Sequence, residues 1–320
     1  MSKSYIERLD PELVEPIKRS LGQPGMDLSN PSAARIDSDK MSATMVSQRT
    51  EMKGVTSKDR KIPGVPELTI RIYEADKRED LTPVLLWIHG GGYVVGDMEL
   101  DDLLCRQLTL AGECVVTQVN YRLAPEHPYP IPLEDCYSTL KWLASQADTL
   151  RIDPSRICVG GASAGGGLAA SLALLARDRA EINLAWQLIL YPMMDDRNTE
   201  LPSETLPETL IWTRKNNYYG WRAYLGCEPG GKDVEPYAAA ARADNLEGLP
   251  PAFIGTGDLD LFAEESLIYA RKLVAAGVPT ELHMYPGAPH AFDGIIAPEA
   301  GISRKFNNDI LWAFKRICNK

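Results

Sequence analysis

From about residue 68 onward the chain alternates short, apolar or β-branched runs with longer segments whose apolar residues recur every three or four positions. That alternation is the signature of a sheet joined by crossover helices. The spacing predicts strands over 68–73, 84–89, 115–121, 157–161, 186–191, 252–256 and 281–285. Five of these runs are unbroken in apolar character, as strands covered on both faces should be. Helices are predicted over 99–111, 133–147, 164–176, 262–276 and 303–318, each burying an apolar stripe on the sheet. The expected class is therefore α/β, with a mostly parallel central sheet flanked by helices. Two regions break the rhythm: residues 1–50, polar and loop-rich after a first helical stretch, and residues 196–242, rich in Pro, Trp, Tyr and Asn. Both are expected to fold over the sheet as a lid.

A net charge of -10 leaves no clustered Lys and Arg with which to displace phosphate counterions, so a nucleic-acid partner is excluded. Six cysteines, at 105, 114, 136, 158, 227 and 318, form no C-x-x-C pair. Neither a zinc site nor a redox dithiol is indicated, and Cys114 and Cys158, in apolar runs, read as buried thiols. The first twenty residues carry charge throughout, unlike an export signal. No window approaches the roughly 18 apolar residues of a membrane span, and a cytoplasmic protein without stable membrane insertion is expected.

The most informative turn is Gly160-Gly161-Ala162-Ser163-Ala164-Gly165-Gly166-Gly167, which follows the apolar run 157–159 and opens a helix. Gly161 to Gly165 matches G-x-S-x-G. In that pattern the serine sits on a strained turn with its hydroxyl exposed, and only small neighbours let the helix pack closely behind the strand. The positive helix end then faces the reaction centre. A phosphate site at the same helix end fits poorly, because no Lys follows in P-loop register and G-x-G-x-x-G does not match.

About 70 residues earlier another apolar strand runs into His89-Gly90-Gly91-Gly92-Tyr93. Three consecutive glycines are costly in chain entropy, and acyl transfer supplies a reason for them: bare amides that can point at a tetrahedral oxyanion. Gly91, Gly92 and Ala164 are assigned as donors, with Gly90 in support. His89 reads as a brace for this loop.

Four histidines are available as a base, at 89, 127, 283 and 290. His290 is the candidate, in a turn just after the last strand; His283 falls inside an alternating strand and His127 in a turn of its own. For the carboxylate that fixes the imidazole tautomer, Asp260 is chosen and Asp258 is the alternative. Both follow the apolar run 252–256.

With these pieces in place the sequence resembles the hormone-sensitive lipase family, including the bacterial family IV esterases, from about residue 65 to the C-terminus. The resemblance rests on the His89-Gly90-Gly91-Gly92 loop followed by Gly96-Asp97, on Tyr121-Arg122-Leu123-Ala124-Pro125-Glu126-His127, on the Ser163 turn, and on the Asp260 and His290 segments, in that order. It implies the α/β-hydrolase fold, with a core at 51–195 and 243–320 and a helical cap built from 1–50 and 196–242. It further implies carboxylesterase action on small-molecule esters of short to medium acyl chain through Ser163, His290 and Asp260, with no cofactor or metal and with homodimers frequent. One departure stands out: Ala162 occupies a position that is usually acidic in that family. Gibberellin receptors resemble the family as binding proteins that lack the catalytic histidine, whereas His290 is present here. Amides, lactones, carbamates and acyl transfer remain open, since all share one acyl-enzyme intermediate.

Overall fold

The chain is described by a computed structural model covering residues 3–21, 25–65, 67–78, 81–201 and 209–319. Its strands are β1 (Val55–Lys61), β2 (Thr69–Ala75), β3 (Thr82–Ile88), β4 (Val115–Asn120), β5 (Ile152–Ala162), β6 (Leu184–Leu190), β7 (Ala252–Gly257) and β8 (Thr280–Tyr285). Its helices are α1 (Lys3–Arg8), α2 (Val14–Leu21), α3 (Pro31–Gln48), α4 (Asp102–Gly112), α5 (Ile131–Ser145), α6 (Ala147–Leu150), α7 (Ala164–Arg179), α8 (Arg214–Leu225), α9 (Ala263–Ala275) and α10 (Gly301–Cys318).

The strands form one sheet in the order β1-β2-β4-β3-β5-β6-β7-β8. Pairing is antiparallel from β1 through β2 to β4 and parallel from β4 to β8. This is the α/β-hydrolase fold, a mostly parallel sheet between helical layers. Central β3 shows why: every residue from Thr82 to Ile88 is buried. Val84, Leu86 and Ile88 join the core under α5 and α7, while Leu85 and Trp87 join the one under α4 and α10. A third cluster places α9 on β6 and β7 through Tyr269 and Leu273 against Ile189 and Ile254. Among the described residues, no helix is long and apolar enough to cross a membrane.

Two elements differ from the sequence expectation. β1 is an additional edge strand, VTSKDRK, exposed at every position after Val55. It carries no apolar alternation because it is held by backbone pairing with β2, from Val55↔Ala75 to Lys61↔Thr69, and by polar side-chain contacts such as Asp59 with Arg71 (2.7 Å) and Ser57 with Arg106 (2.9 Å). The N-terminal region is also more helical than the loop-rich segment expected. α3 is capped by the Asn30 side chain, has Pro31 in its first turn, and buries Ala34, Ser38 and Ser42. Small and hydroxyl residues at four-residue spacing face inward, so no apolar stripe reveals the helix.

Candidate active site

The turn from β5 into α7 is set by its backbone. Ser163 lies at φ 57°, ψ -122°, outside the regions an L-residue adopts readily; such a conformation costs roughly 1–3 kcal/mol and persists only where surroundings enforce it. The Ser163 N–H donates to the Leu190 carbonyl (2.9 Å), and its own carbonyl accepts from Gly167 (3.0 Å) and Met193 (2.9 Å). A Cβ on Gly165 would stand 2.0 Å from the Ile88 oxygen, so α7 approaches β3 as only glycine permits.

His290 arrives on the loop after β8, and Asp260 on the loop after β7. The Asp260 Oδ2 lies 2.8 Å from His290 Nδ1, while its Oδ1 accepts from the Phe262 amide (2.9 Å). With Nδ1–H directed at the carboxylate, Nε2 is an acceptor, and the Ser163 hydroxyl donates to it over 3.0 Å. Ser163, Asp260 and His290 are 7 %, 6 % and 4 % exposed, so the line of contacts is largely shielded from water. Three rings enclose the imidazole: Tyr191 at 5.0 Å and Phe262 at 5.1 Å, both edge-to-face, and Trp212 at 6.1 Å.

Asp258, the alternative carboxylate, is turned elsewhere. Its Oδ1 accepts from the Gly287 amide (2.6 Å) and its Oδ2 faces Arg8 (3.5 Å), so it fastens the His290 loop to the N-terminal segment. His283 contacts Glu281 (2.9 Å) and Asp309 (3.4 Å) at the sheet margin. His127 sits in its own turn, its amide donating to the Leu123 carbonyl (3.0 Å).

Beside Ser163 the glycine loop closes the site. A Cβ on Gly90 would meet Ser163 Cβ at 3.2 Å, so the loop lies against the serine turn. Gly91, at φ 115°, would place a Cβ 2.0 Å from the Val95 oxygen, and its carbonyl is occupied by the Val94 (3.1 Å) and Val95 (3.0 Å) amides. Among the described residues the Gly91 and Gly92 amides have no backbone acceptor, and Ala164, as first residue of α7, has its amide outside the helical ladder. His89 Nδ1 lies 2.7 Å from the Gly90 oxygen, and its ring stacks on Tyr121 at 4.4 Å. Burial holds the His89 pKa down to about 4, so the ring is neutral at neutral pH and braces the loop as expected.

Among the aromatic residues of 209–242, Trp221 packs on Tyr93 and Tyr224, and Tyr218 packs on Tyr219. Trp212 alone of these reaches the site. Its indole fills the space a Gly92 side chain would take, with Cη2 2.3 Å from the ideal Cβ position, and its Nε1 donates to Asn217 Oδ1 (3.1 Å). Neither Trp212 nor the rings of Tyr191 and Phe262 carried any sequence signal for this role, because their aim depends on where distant segments cross.

Residues 85–294 match the protein-family model described as alpha/beta hydrolase fold. The chain is 37 % identical over 234 residues to a Mycobacterium tuberculosis carboxylesterase, NlhH, covering 72 % of each protein. Among solved structures, a bacterial heroin esterase superposes with a TM-score of 0.91 at 37 % identity, covering 98 % of this chain and 99 % of that one. A hyperthermophilic esterase from the archaeon Pyrobaculum calidifontis does so with a TM-score of 0.85 at 31 % identity, covering 97 % and 99 %.

Proposed function

Since the chain belongs to the hormone-sensitive lipase branch of the α/β-hydrolase fold family and is a carboxylic ester hydrolase, we propose that Ser163 is its nucleophile, His290 its general base and Asp260 the carboxylate that orients the base. One observation carries the reading: a serine hydroxyl, an imidazole and a carboxylate in unbroken contact, at 3.0 Å and 2.8 Å, beside a glycine loop with free amides.

In this mechanism Ser163 Oγ attacks the ester carbonyl carbon as its proton passes to His290 Nε2. The carbonyl oxygen becomes an oxyanion facing the amides of Gly91, Gly92 and Ala164, with Gly90 shaping the loop; a donor of this kind contributes about 3 kcal/mol to the transition state. The imidazolium then protonates the departing alkoxide, leaving an acyl group on Ser163 Oγ. Water, deprotonated by the same His290, attacks that acyl carbon, and collapse returns the proton to Oγ and frees the acid. Asp260 holds the Nδ1–H tautomer throughout and stabilises the imidazolium.

The substrates in this reading are esters of short to medium acyl chain, in keeping with the indole of Trp212 narrowing the space beside Gly92. In this reading residues 1–50 and 196–242, of which 1–2, 22–24 and 202–208 lie outside the described residues, form the cap over a core of 51–195 and 243–320, of which 66, 79–80 and 320 lie outside them: the Leu28 amide donates to Asn216 Oδ1 (3.0 Å) and Asn216 Nδ2 to the Met26 carbonyl (2.8 Å), which joins the two cap segments. A cytoplasmic site of action agrees with six unpaired cysteines. A homodimer agrees with exposed Met284 on β8 and Trp312 on α10.

Ser163→Ala is expected to lower turnover of p-nitrophenyl acetate by about 10⁴-fold or more with an unchanged circular-dichroism spectrum. A fold-intact variant that kept most of its activity would remove Ser163 from the mechanism.

A further inference from the structure

Three residues beyond His290, in a turn of π-helical backbone (Phe292–Ile296), Asp293 is 5 % exposed. Its Oδ1 has no hydrogen-bond partner among the described residues. A buried carboxylate with an unpaired oxygen is expensive and calls for a reason. The groups acting on it are the Tyr191 hydroxyl, from the end of β6, its own amide and that of Gly294, and His290. Asp101, from the loop before α4, faces it from the side of Trp87; Tyr285 of β8 also feels its charge, and Asp260 acts on the same Tyr191. None of these neighbours is a lysine or arginine. The positive charge available to Asp293 is the one His290 acquires when it takes the serine proton.

We propose that Asp293 is a positioning residue of the hydrolytic site: a second carboxylate that stabilises the His290 imidazolium from the Tyr191 side, opposite in role to no group but complementary to Asp260. The inference rests on the assignment of His290 as general base. Tyr191 is the spacer: it feels the charge of the Asp293 carboxylate, and its ring lies edge-to-face with the imidazole at 5.0 Å. Attraction between two charges is mutual, so a carboxylate eased by the imidazolium stabilises it equally.

The arrangement works against stability. Burial pushes the Asp293 pKa up to about 6. For a carboxyl raised above its unfolded value, the ionised form present at pH 7 and above penalises the fold; the penalty begins to decline as pH falls below about 6 and is gone only below the ordinary carboxylate range, at about 4. A group that weakens the fold while charged and lies beside the reacting base is the pattern of a functional carboxylate.

Asp293→Asn tests this against wild type on p-nitrophenyl acetate between pH 5 and 9. Loss of the charge is expected to lower kcat about tenfold while KM stays within about twofold, and to move the acid limb of the kcat/KM profile down by about half to one pH unit. Because the neutral amide removes the burial penalty, Tm at pH 8 is expected to be no lower than that of wild type. Asp293→Glu, which restores the charge, should bring the acid limb back toward its wild-type position. An acid limb that does not move in Asp293→Asn overturns the proposal, as does a variant that is insoluble or melts lower at pH 8, either of which makes Asp293 a structural residue. The underlying assignment fails separately: it would do so through an active Ser163→Ala, whatever Asp293→Asn showed.

Discussion

The turn between β5 and α7 and the helices α3 and α8 are held by different forces. At the turn the contacts are main chain on main chain: Ser163 bonded to Leu190, Met193 and Gly167, and Gly165 pressed on the Ile88 carbonyl. The helices α3 and α8 are fastened chiefly by side chains, beside one main-chain bond from the Tyr129 amide to the Tyr224 carbonyl (2.7 Å). Arg35 of α3 donates from Nε to the Val94 carbonyl (3.0 Å) and from Nη2 to the Ala124 carbonyl (2.8 Å), Asn216 of α8 to the Met26 carbonyl, and Trp212 to Asn217. A backbone lattice admits almost no substitution, whereas a side-chain lattice can be rebuilt. The chemistry of the site is therefore fixed where its substrate preference is adjustable.

The contrast can be broken most severely at Gly165. Gly165→Ala puts a methyl group against a strand carbonyl with no flexible side chain to yield, and a loss above about 4 kcal/mol is expected, read as loss of soluble protein or a collapsed melting temperature. Next is the carboxylate pair on the loop after β7. Asp260→Asn is expected to lower kcat by about 10³–10⁴-fold with the fold retained, while Asp258→Asn, which alters only a loop fastening, stays within about tenfold; the reverse ranking in steady-state assays would transfer the orienting role to Asp258. The segment leading into α8 should give the smallest effect and a different kind. Trp212→Ala opens the space beside Gly92, so the kcat/KM ratio for octanoyl over acetyl p-nitrophenyl esters should rise about tenfold, with Tm lowered because a buried indole and its bond to Asn217 are lost. An unaltered chain-length profile would mean that the indole does not bound the acyl site.

Legibility in the sequence follows the same division. Strands β3 to β7 announce themselves because burial on both faces demands continuous apolar runs, and β3 is buried at every position, whereas the partly exposed β8 is legible through alternation. Ser163, the glycine loop, Asp260 and His290 could be placed because each needs a local backbone that only particular residues allow or a strand end that topology dictates. β1 stayed hidden because an edge strand exposed after Val55 requires only backbone pairing. α3 stayed hidden because it turns Ala34, Ser38 and Ser42 inward. Trp212 could be named as one of several aromatics able to shape the substrate space but not aimed, and Asp293, an aspartate after a histidine, carries no pattern; their significance comes from segments about 80 to 120 residues away in sequence meeting in space.

The two margins of the sheet are chemically unequal. β1 bristles with Lys58, Asp59, Arg60 and Lys61, all exposed, a composition that discourages another strand from joining. β8, at the other end of the sheet order, carries an exposed Met284. In polymer terms such a molecule resembles a monomer with one reactive end, and growth through a single end terminates after the first coupling. Any strand-to-strand association through β8 thus stops at two copies and cannot propagate into a fibre.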